Sequence, residues 1–368
     1  MSATTEKKTI RIWFADSGDP YVRDMIQDIL GQRYNLVLDD EHPEFLFFSI
    51  FGYEHLKYGD DCIKVMYSGE NVFPNFNEFD YAVSSSCLEY VDRHLYIPPC
   101  CYHDTKEEKN MPLEEVEESM AHRRFCCFLY KVMNHDRGAF LRAELCKMLT
   151  AKYKKVDCPG VALHNMDAPE LADRFADDWS VSKIKFLTKY KFNIAFENSN
   201  SPGYVTEKLS DSFKANTVPI YWGSEGTQLP KDAMIYANDY PDLESLAQRI
   251  IEVDNNDEEY MKILRANPLR KGMDFNRRRE LSDFLYNIIE HGTKLPHGFN
   301  TLYQGDGAFK ILYTTPRGKR RILTRLFLKV LQITTSLKAI MRIGRREDLE
   351  RDKLHIGGIC FRDKRAGS

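Results

Sequence analysis

The sequence predicts an α/β protein built from two successive α/β units and ending in a basic amphipathic tail. Three observations predict it. Short apolar runs of strand length alternate with helix-period segments from residue 9 to residue 291. That alternation restarts after a charged stretch, KEEKNMPLEEVEES (106–119). The charge is also segregated: residues 317–368 hold fifteen Lys/Arg against five Asp/Glu. Strands alternating with helices form sheets layered with helices. At about 100–200 residues per domain, 368 residues suffice for two cores. The expected units are 1–120 and 121–295, with a linker and tail over 296–368.

Taken in order, TIRIWFA (9–15) reads as the first strand, and YVRDMIQDILGQ (21–32) as a helix closing near Gly31. YNLVLDD (34–40) and EFLFFSIFG (44–52) follow as strands. The second is almost wholly apolar, as in a parallel strand buried on both faces. CIKVMYSGE (62–70) and FDYAVSS (79–85) continue the pattern. The second unit opens with a buried strand in RRFCCFLYKVMN (123–134). RGAFLRAELCKMLTAKY (137–153) is next, a helix with Phe140, Leu141, Leu145, Met148 and Leu149 at 3–4 spacing. KKVD, a helix near 181–190, FNIAFEN, a helix from about 205, VPIYWG and AMIYAND complete the alternation. LESLAQRIIEVD, EEYMKILRAN and RELSDFLYNIIEHG read as closing helices.

Composition narrows the function classes. The net charge of −3 leaves residues 1–316 at −13 once the +10 of the tail is set apart. An acidic body with a basic tail suits an anionic surface as the tail's partner. Within 317–346 there are ten basic residues and no acidic one, and Ile322, Leu326, Val330, Ile333, Leu337 and Ile340 share one helical face. This reads as an interfacial membrane helix. A helix packed on its own domain and an RNA-attracted basic run are the competing readings. No nucleic-acid-binding fold accompanies the tail, so nucleic acid is not expected as a substrate. Nine cysteines include no matched CxxC pairs, which argues against a zinc site. Cys126 and Cys127 read as buried thiols, and a reducing compartment is expected. The N-terminus lacks an apolar h-region and the chain lacks an uncharged apolar run of 18 residues. A signal peptide and a membrane span are therefore not expected, and a cytoplasmic location is.

The richest stretch is FNIAFENSNSPGYVTEKLSDSFKANTVPIYWGS (192–224). A buried strand leads into a polar loop, and Thr206 can cap the following helix. Polar groups thus gather where a strand ends and a helix begins, the place where open α/β sheets bind ligands. Free backbone N–H groups and the helix dipole there favour an anion such as a diphosphate. Lys208 would add a charge for the phosphates, Glu207 could accept from ribose hydroxyls, Tyr204 could cover the nucleotide, and Asn198 could contact it. A merely capped helix with solvated charges fits the same pattern equally well. A second stretch, MYSGENVFPNFNEFDYAVSS (66–85), presents Glu70 at the end of a strand beside Gly69. A lone carboxylate in a cleft suits general-base work; an ordinary loop carboxylate explains the same residues. In NHDRGAFLRAELCKML, Asn134 ends a strand, and Arg137 could reach a phosphate at the sheet's edge. For Arg142, an internal ion pair or a solvated charge reads at least as well.

The residues Phe196, Glu197, Asn198, Ser199, Tyr204, Val205, Thr206, Glu207, Lys208, Val218, Pro219 and Gly223 resemble, in order, the signature of the α-1,3/4-fucosyltransferase family (glycosyltransferase family 10). The stretch around Glu70 and DRHLYIPP (92–99) resembles its bacterial members. The resemblance implies a GT-B fold: two Rossmann-like domains facing across a cleft. It further implies a GDP-fucose site with nucleotide-binding roles for Asn198, Tyr204, Glu207 and Lys208, and Glu70 as the base of an inverting transfer. The acceptor expected is an oligosaccharide or glycolipid. Another nucleotide-sugar donor, or an inactive carbohydrate-binding relative, are the rival readings. One departure stands out. Related enzymes often carry a basic residue after the Val-Asp-Cys-x-Gly stretch, whereas here Gly160 is followed by Val161, Ala162 and Leu163. Arg123, Lys183 and Lys185 are the candidates to replace it. There is no Asp-x-Asp triplet and no His/Cys cluster with ligand spacing, so no obligatory metal is expected, with manganese stimulation left open.

Overall fold

The computed structural model describes residues 7–295 except 17–19, 60, 102–111, 132, 134–135, 174–175, 177–178 and 225–229. The amphipathic segment 317–346 and Asn134 lie outside the described residues.

The first domain is a six-stranded sheet. Its elements are β1 (Thr9–Ala15), α1 (Pro20–Gly31), β2 (Asn35–Leu38), β3 (Phe45–Phe48), β4 (Ile63–Ser68), β5 (Tyr81–Ser84) and β6 (His94–Tyr96). The strand order is β2-β1-β3-β4-β5-β6 and each pairing is parallel. FLFF of β3 is buried throughout, as its unbroken apolar run requires of a central parallel strand.

The second domain follows α2 (Leu113–Ser119). It contains β7 (Arg124–Cys127), α3 (Arg137–Lys152), β8 (Val156–Asp157), α4 (Trp179–Leu187), β9 (Tyr190–Ile194), α5 (Glu207–Lys214), β10 (Val218–Tyr221) and β11 (Ile235–Tyr236). α6 (Leu243–Asp254), α7 (Asp257–Arg265) and α8 (Arg278–His291) complete the described chain. The sheet order is β11-β10-β9-β7-β8, again wholly parallel. Counted from each domain's own first strand, both sheets therefore run 2-1-3-4-5, with a sixth strand added to the first. In such sheets the chain leaves neighbouring strands in opposite directions at one point, here β1/β3 and β7/β9. Ligands collect there, beyond the carboxyl ends.

The last helix crosses back. The sequence groups α8 with the second unit, but Leu281, Leu285, Tyr286, Ile288 and Ile289 bury in the first domain's core with Ile26, Ile29 and Leu30 of α1. Tyr286 Oη donates to Ile29 O at 2.8 Å, and Tyr34 Oη to Glu290 Oε1 at 2.6 Å. The reason is geometric. The first domain contributes one α-helix of its own among the described residues, too little to cover a six-stranded sheet, so the closing helix returns to cover it. The chain just beyond α8 is tied down as well: Asp80 Oδ1 accepts from Leu295 N at 2.6 Å, and Tyr81 Oη from Thr293 N at 3.0 Å. The eight described cysteines are free thiols. Among the described residues, no helix is long and apolar enough to cross a membrane.

Candidate active site

A cleft of about 690 Å³ lies between the carboxyl ends of the two sheets. Its first-domain wall is Gly69, Glu70 and Pro99. Its second-domain wall comes from both sides of the β7/β9 switch point: Leu129, Tyr130 and Lys131 follow β7, while Asn198, Tyr204, Thr206, Glu207 and Lys208 follow β9. The ligand-binding position of the second sheet is therefore the cleft itself.

Glu70 sits two residues past the end of β4. Its backbone is held on three sides: Glu70 N donates to Ser68 Oγ at 3.1 Å, while Glu70 O accepts from Ser85 Oγ at 3.1 Å and Val72 N at 2.9 Å. The side chain is exposed in the cleft. A fixed backbone with a free, solvent-facing carboxylate can take a proton from a hydroxyl brought to that wall.

The opposite wall is organised by Glu197, fully buried at 0% exposure. Its Oε1 accepts from Thr206 N and its Oε2 from Thr206 Oγ1, both at 2.7 Å, and Lys208 Nζ lies 3.3 Å from Oε2. Thr206 caps α5, accepting from Lys208 N, and its hydroxyl also accepts from Lys208 Nζ at 2.8 Å. Burial, with the nearby Glu207 charge in support, raises the Glu197 carboxyl above its ordinary value against the opposing pull of Lys208 and the Thr206 donors. Burial likewise works against the Lys208 charge, but Glu207 and Glu197 outweigh it and lift its pKa above the ordinary lysine value. Lys208 is a fixed ammonium at neutral pH. Glu197 stands in the recognised motif, yet sequence reasoning gave it no role. A glutamate directly after the apolar run Ile194, Ala195 and Phe196 was the available signal, since a carboxylate buries only with partners.

Five of the six residues expected at the site, Glu70, Asn198, Tyr204, Glu207 and Lys208, line this one cleft. Arg137 does not: it is exposed in the first turn of α3 and lies outside the lining. Arg142 takes that position instead. It is 4% exposed, its guanidinium lies 3.7 Å from the Tyr130 ring centroid, and Nη1 donates to Phe196 O at 3.3 Å. The start of α3 can come this close because residue 138 is glycine. A Cβ there would lie 1.9 Å from Glu197 O, and Gly138 N donates to Asn198 O at 3.0 Å.

The departure after Gly160 also has a structural counterpart. Val161 lines the cleft at 74% exposure with no charge to offer. Of the three replacement candidates, Lys183 of α4 lines the cleft, 2.7 Å from Asp211 Oδ2. Lys185 is exposed outside the lining, and Arg123 is occupied by Ser119 Oγ and Asn216 O. Arg142, Lys183 and Lys208 thus give the second-domain wall three cations carried on its helices, beside the exposed Lys131 that follows β7. That wall can neutralise a diphosphate facing the carboxylate of Glu70. No group of three or more His, Cys, Asp or Glu side chains suited to hold a metal occurs among the described residues.

Comparisons with known proteins bear on the family and the fold. Residues 12–102 match the alpha-(1,3)-fucosyltransferase FucT N-terminal domain, and residues 121–268 the glycosyltransferase family 10 (fucosyltransferase) C-terminal domain. The chain is 28% identical over 304 residues to the alpha-(1,3)-fucosyltransferase FucT of Helicobacter pylori, covering 72% of this chain and 60% of that protein. It is 35% identical over 153 residues to the GDP-fucose protein O-fucosyltransferase 3 of Danio rerio, covering 40% of this chain and 32% of the relative. The chain therefore spans 60% or less of these relatives' length. A solved alpha1,3-fucosyltransferase superposes with a TM-score of 0.63 at 23% identity, covering 81% of this chain and 95% of that one. An alpha1,3-fucosyltransferase with GDP-fucose superposes at 0.60 and 22% identity, covering 80% and 94%. These likenesses establish the two-domain GT-B fold.

Proposed function

The chain belongs to the fucosyltransferases of glycosyltransferase family 10, and from that premise we propose that it is an inverting α-1,3-fucosyltransferase. It moves L-fucose from GDP-β-L-fucose to a hydroxyl of a GlcNAc or glucose residue in an oligosaccharide or glycolipid acceptor, as in Lewis-type glycan synthesis. The observation that carries the proposal is the single cleft with Glu70 on one wall and Arg142, Lys183 and Lys208 on the other. The acceptor hydroxyl loses its proton to Glu70 and attacks the anomeric carbon from the face opposite the nucleotide. The bond from that carbon to the diphosphate oxygen breaks, GDP leaves with the electron pair, and the β-linked donor yields an α-fucoside. The three cations and the N-terminus of α5 stabilise the charge that develops on the leaving diphosphate. Asn198 and Tyr204 hold the nucleotide, and Glu207 accepts from its ribose. With this charge already in place, no metal is obligatory, and EDTA should leave most of the activity intact.

We assign residues 317–346 to an anionic membrane surface on the cytoplasmic side and no role in nucleic-acid binding. Removing 317–368 should reduce binding to anionic vesicles and spare turnover of soluble acceptors; unchanged vesicle binding would sink that assignment.

The test of the activity is product formation from GDP-fucose with N-acetyllactosamine, lactose and the type 1 isomer, read by mass and by NMR of the linkage. A protein acceptor belongs in the panel because the Danio rerio relative bears that name. An α-fucosyl product is expected, with Glu70→Gln slower by roughly 10²–10⁴-fold. Equal turnover by Glu70→Gln would remove Glu70 from its role. Inhibition by UDP and not by GDP would overturn the donor.

A further inference from the structure

Asn71, next to Glu70, bonds directly to the second domain. Its Nδ2 donates to Ser199 Oγ at 2.7 Å, and its Oδ1 accepts from Ser201 Oγ. Both serines belong to the loop that carries Asn198, whose Oδ1 accepts from Ser199 N at 3.0 Å. The same loop meets the first domain further on. Tyr96 Oη donates to Gly203 O at 3.0 Å, and Cys100 N to Val205 O at 3.1 Å. Gly203 has φ +89°, and a Cβ there would lie 2.5 Å from Cys87 Sγ and 2.7 Å from Ser85 O. The loop at 198–205 is therefore held by both domains, although the chain places it in the second. Of these side-chain and backbone hydrogen bonds to the first domain, those of Asn71 come from the residue next to the carboxylate facing the cleft. The Tyr96 and Cys100 bonds lie near the connection through which the chain leaves the first domain.

We propose that Asn71 is a positioning residue: its carboxamide, shared between Ser199 and Ser201, sets the distance of Glu70 from the donor held by the opposite wall. The proposal rests on the fucosyl-transfer reading above. The backbone of Glu70 is rigid within its own domain, so its place relative to the donor is the place of one domain relative to the other. Two hydrogen bonds from the adjacent residue fix that relation at the point of reaction. Asn71 itself does not line the cleft and makes no contact with substrate in this scheme. Losing the bridge should leave nucleotide binding in place and slow the chemical step, because an ångström of misplacement costs on the order of 100-fold.

The experiment compares wild type, Asn71→Ala, the double variant Ser199→Ala/Ser201→Ala and the triple variant, all as full chains. It reads kcat with GDP-fucose, the KM for acceptor, and GDP affinity by calorimetry. Asn71→Ala should lower kcat by roughly 30–100-fold, with GDP affinity within about threefold of wild type. The serine variant should reproduce that fall, and adding Asn71→Ala to it should cost no more than about twofold further, since the two changes remove one interaction. The serine variant also guards against misfolding, because it leaves the Glu70 loop untouched. The inference is overturned by a kcat within threefold of wild type, by a loss of GDP affinity that matches the loss of kcat, or by full additivity of the changes. A wild type that makes no product condemns the parent reading instead; an active wild type with an unaffected Asn71→Ala condemns only this one.

Discussion

At the scale of single residues, Arg137 and Arg142 show what periodicity leaves open. They are five positions apart on α3, about 140° around the helix, so only one can face the cleft. α3 buries Gly138, Ala139, Leu141, Arg142, Ala143, Leu145, Cys146 and Leu149, a surface too broad for an apolar stripe to say which arginine turns inward. The burial of Arg142 and its contact with Tyr130 decide it. Arg142→Ala should weaken GDP binding by about 1.5–3 kcal/mol, the worth of a hydrogen bond to a charged group. Arg137→Ala should stay within threefold; calorimetry on both variants is the check, and the reverse ranking would restore Arg137. Glu70 and Asn198 were legible because each follows a recognisable strand within four residues, and Tyr204, Glu207 and Lys208 because they flank the Thr206 cap that opens the next helix. Lys183 was not singled out among three candidates, because its partner Asp211 lies 28 positions away and nothing local distinguishes it from Lys185. A pH response also belongs here. The His94 imidazole is held at both nitrogens: Nδ1 donates to Leu88 O at 2.7 Å, and Nε2 lies 2.9 Å from Ser84 Oγ. Burial holds its pKa below the ordinary value, with the Leu88 carbonyl opposing. The unfolded chain then takes up the proton first, so this stability is present above the unfolded pKa of about 6.5 and is lost as the pH falls through the lower folded value. Thermal midpoints should drop on acidification from pH 7 toward 5, and His94→Gln should flatten that slope.

At the scale of elements, the order of strands and helices was readable nearly throughout, and partnership was not. α8 has an apolar face that its sequence displays, but periodicity does not name the surface that receives it. That surface is the first domain, whose bonded residues lie 250 and 257 positions earlier in the chain, as the bonds of Arg278 to Asp28 and of Tyr286 to Ile29 attest. Loss of α8 packing should therefore destabilise the domain holding Glu70, not the domain that the sequence adjoins. Leu285 is 1% exposed in that core. Leu285→Ala should cost about 2–5 kcal/mol, the usual range for a buried leucine that leaves a cavity. Chemical denaturation measures it. A change under 1 kcal/mol would mean that α8 is a loosely applied cover.

At the scale of the whole molecule, two features join the domains in opposite senses. α8 carries the end of the described chain back to the first domain, and the loop at 198–205 takes bonds from Asn71, Tyr96 and Cys100. Unfolding either domain alone would strip the other of part of its core or of its seam. Heat should therefore unfold 7–295 in one transition with matching calorimetric and van't Hoff enthalpies, where two independently stable domains would give two. GDP makes the contrast sharper. It contacts the second-domain wall in the scheme above, and a ligand at 100 times its Kd stabilises the folded state by about 2.7 kcal/mol. If the domains were independent, that gain would reach the second domain only. With the domains coupled, Trp13 in the first and Trp222 in the second report the same midpoint, and GDP moves both by the same amount. Single-tryptophan variants followed by fluorescence make the comparison. A midpoint at Trp13 that ignores GDP while that at Trp222 rises would show that the seam joins the domains in geometry without coupling their stabilities.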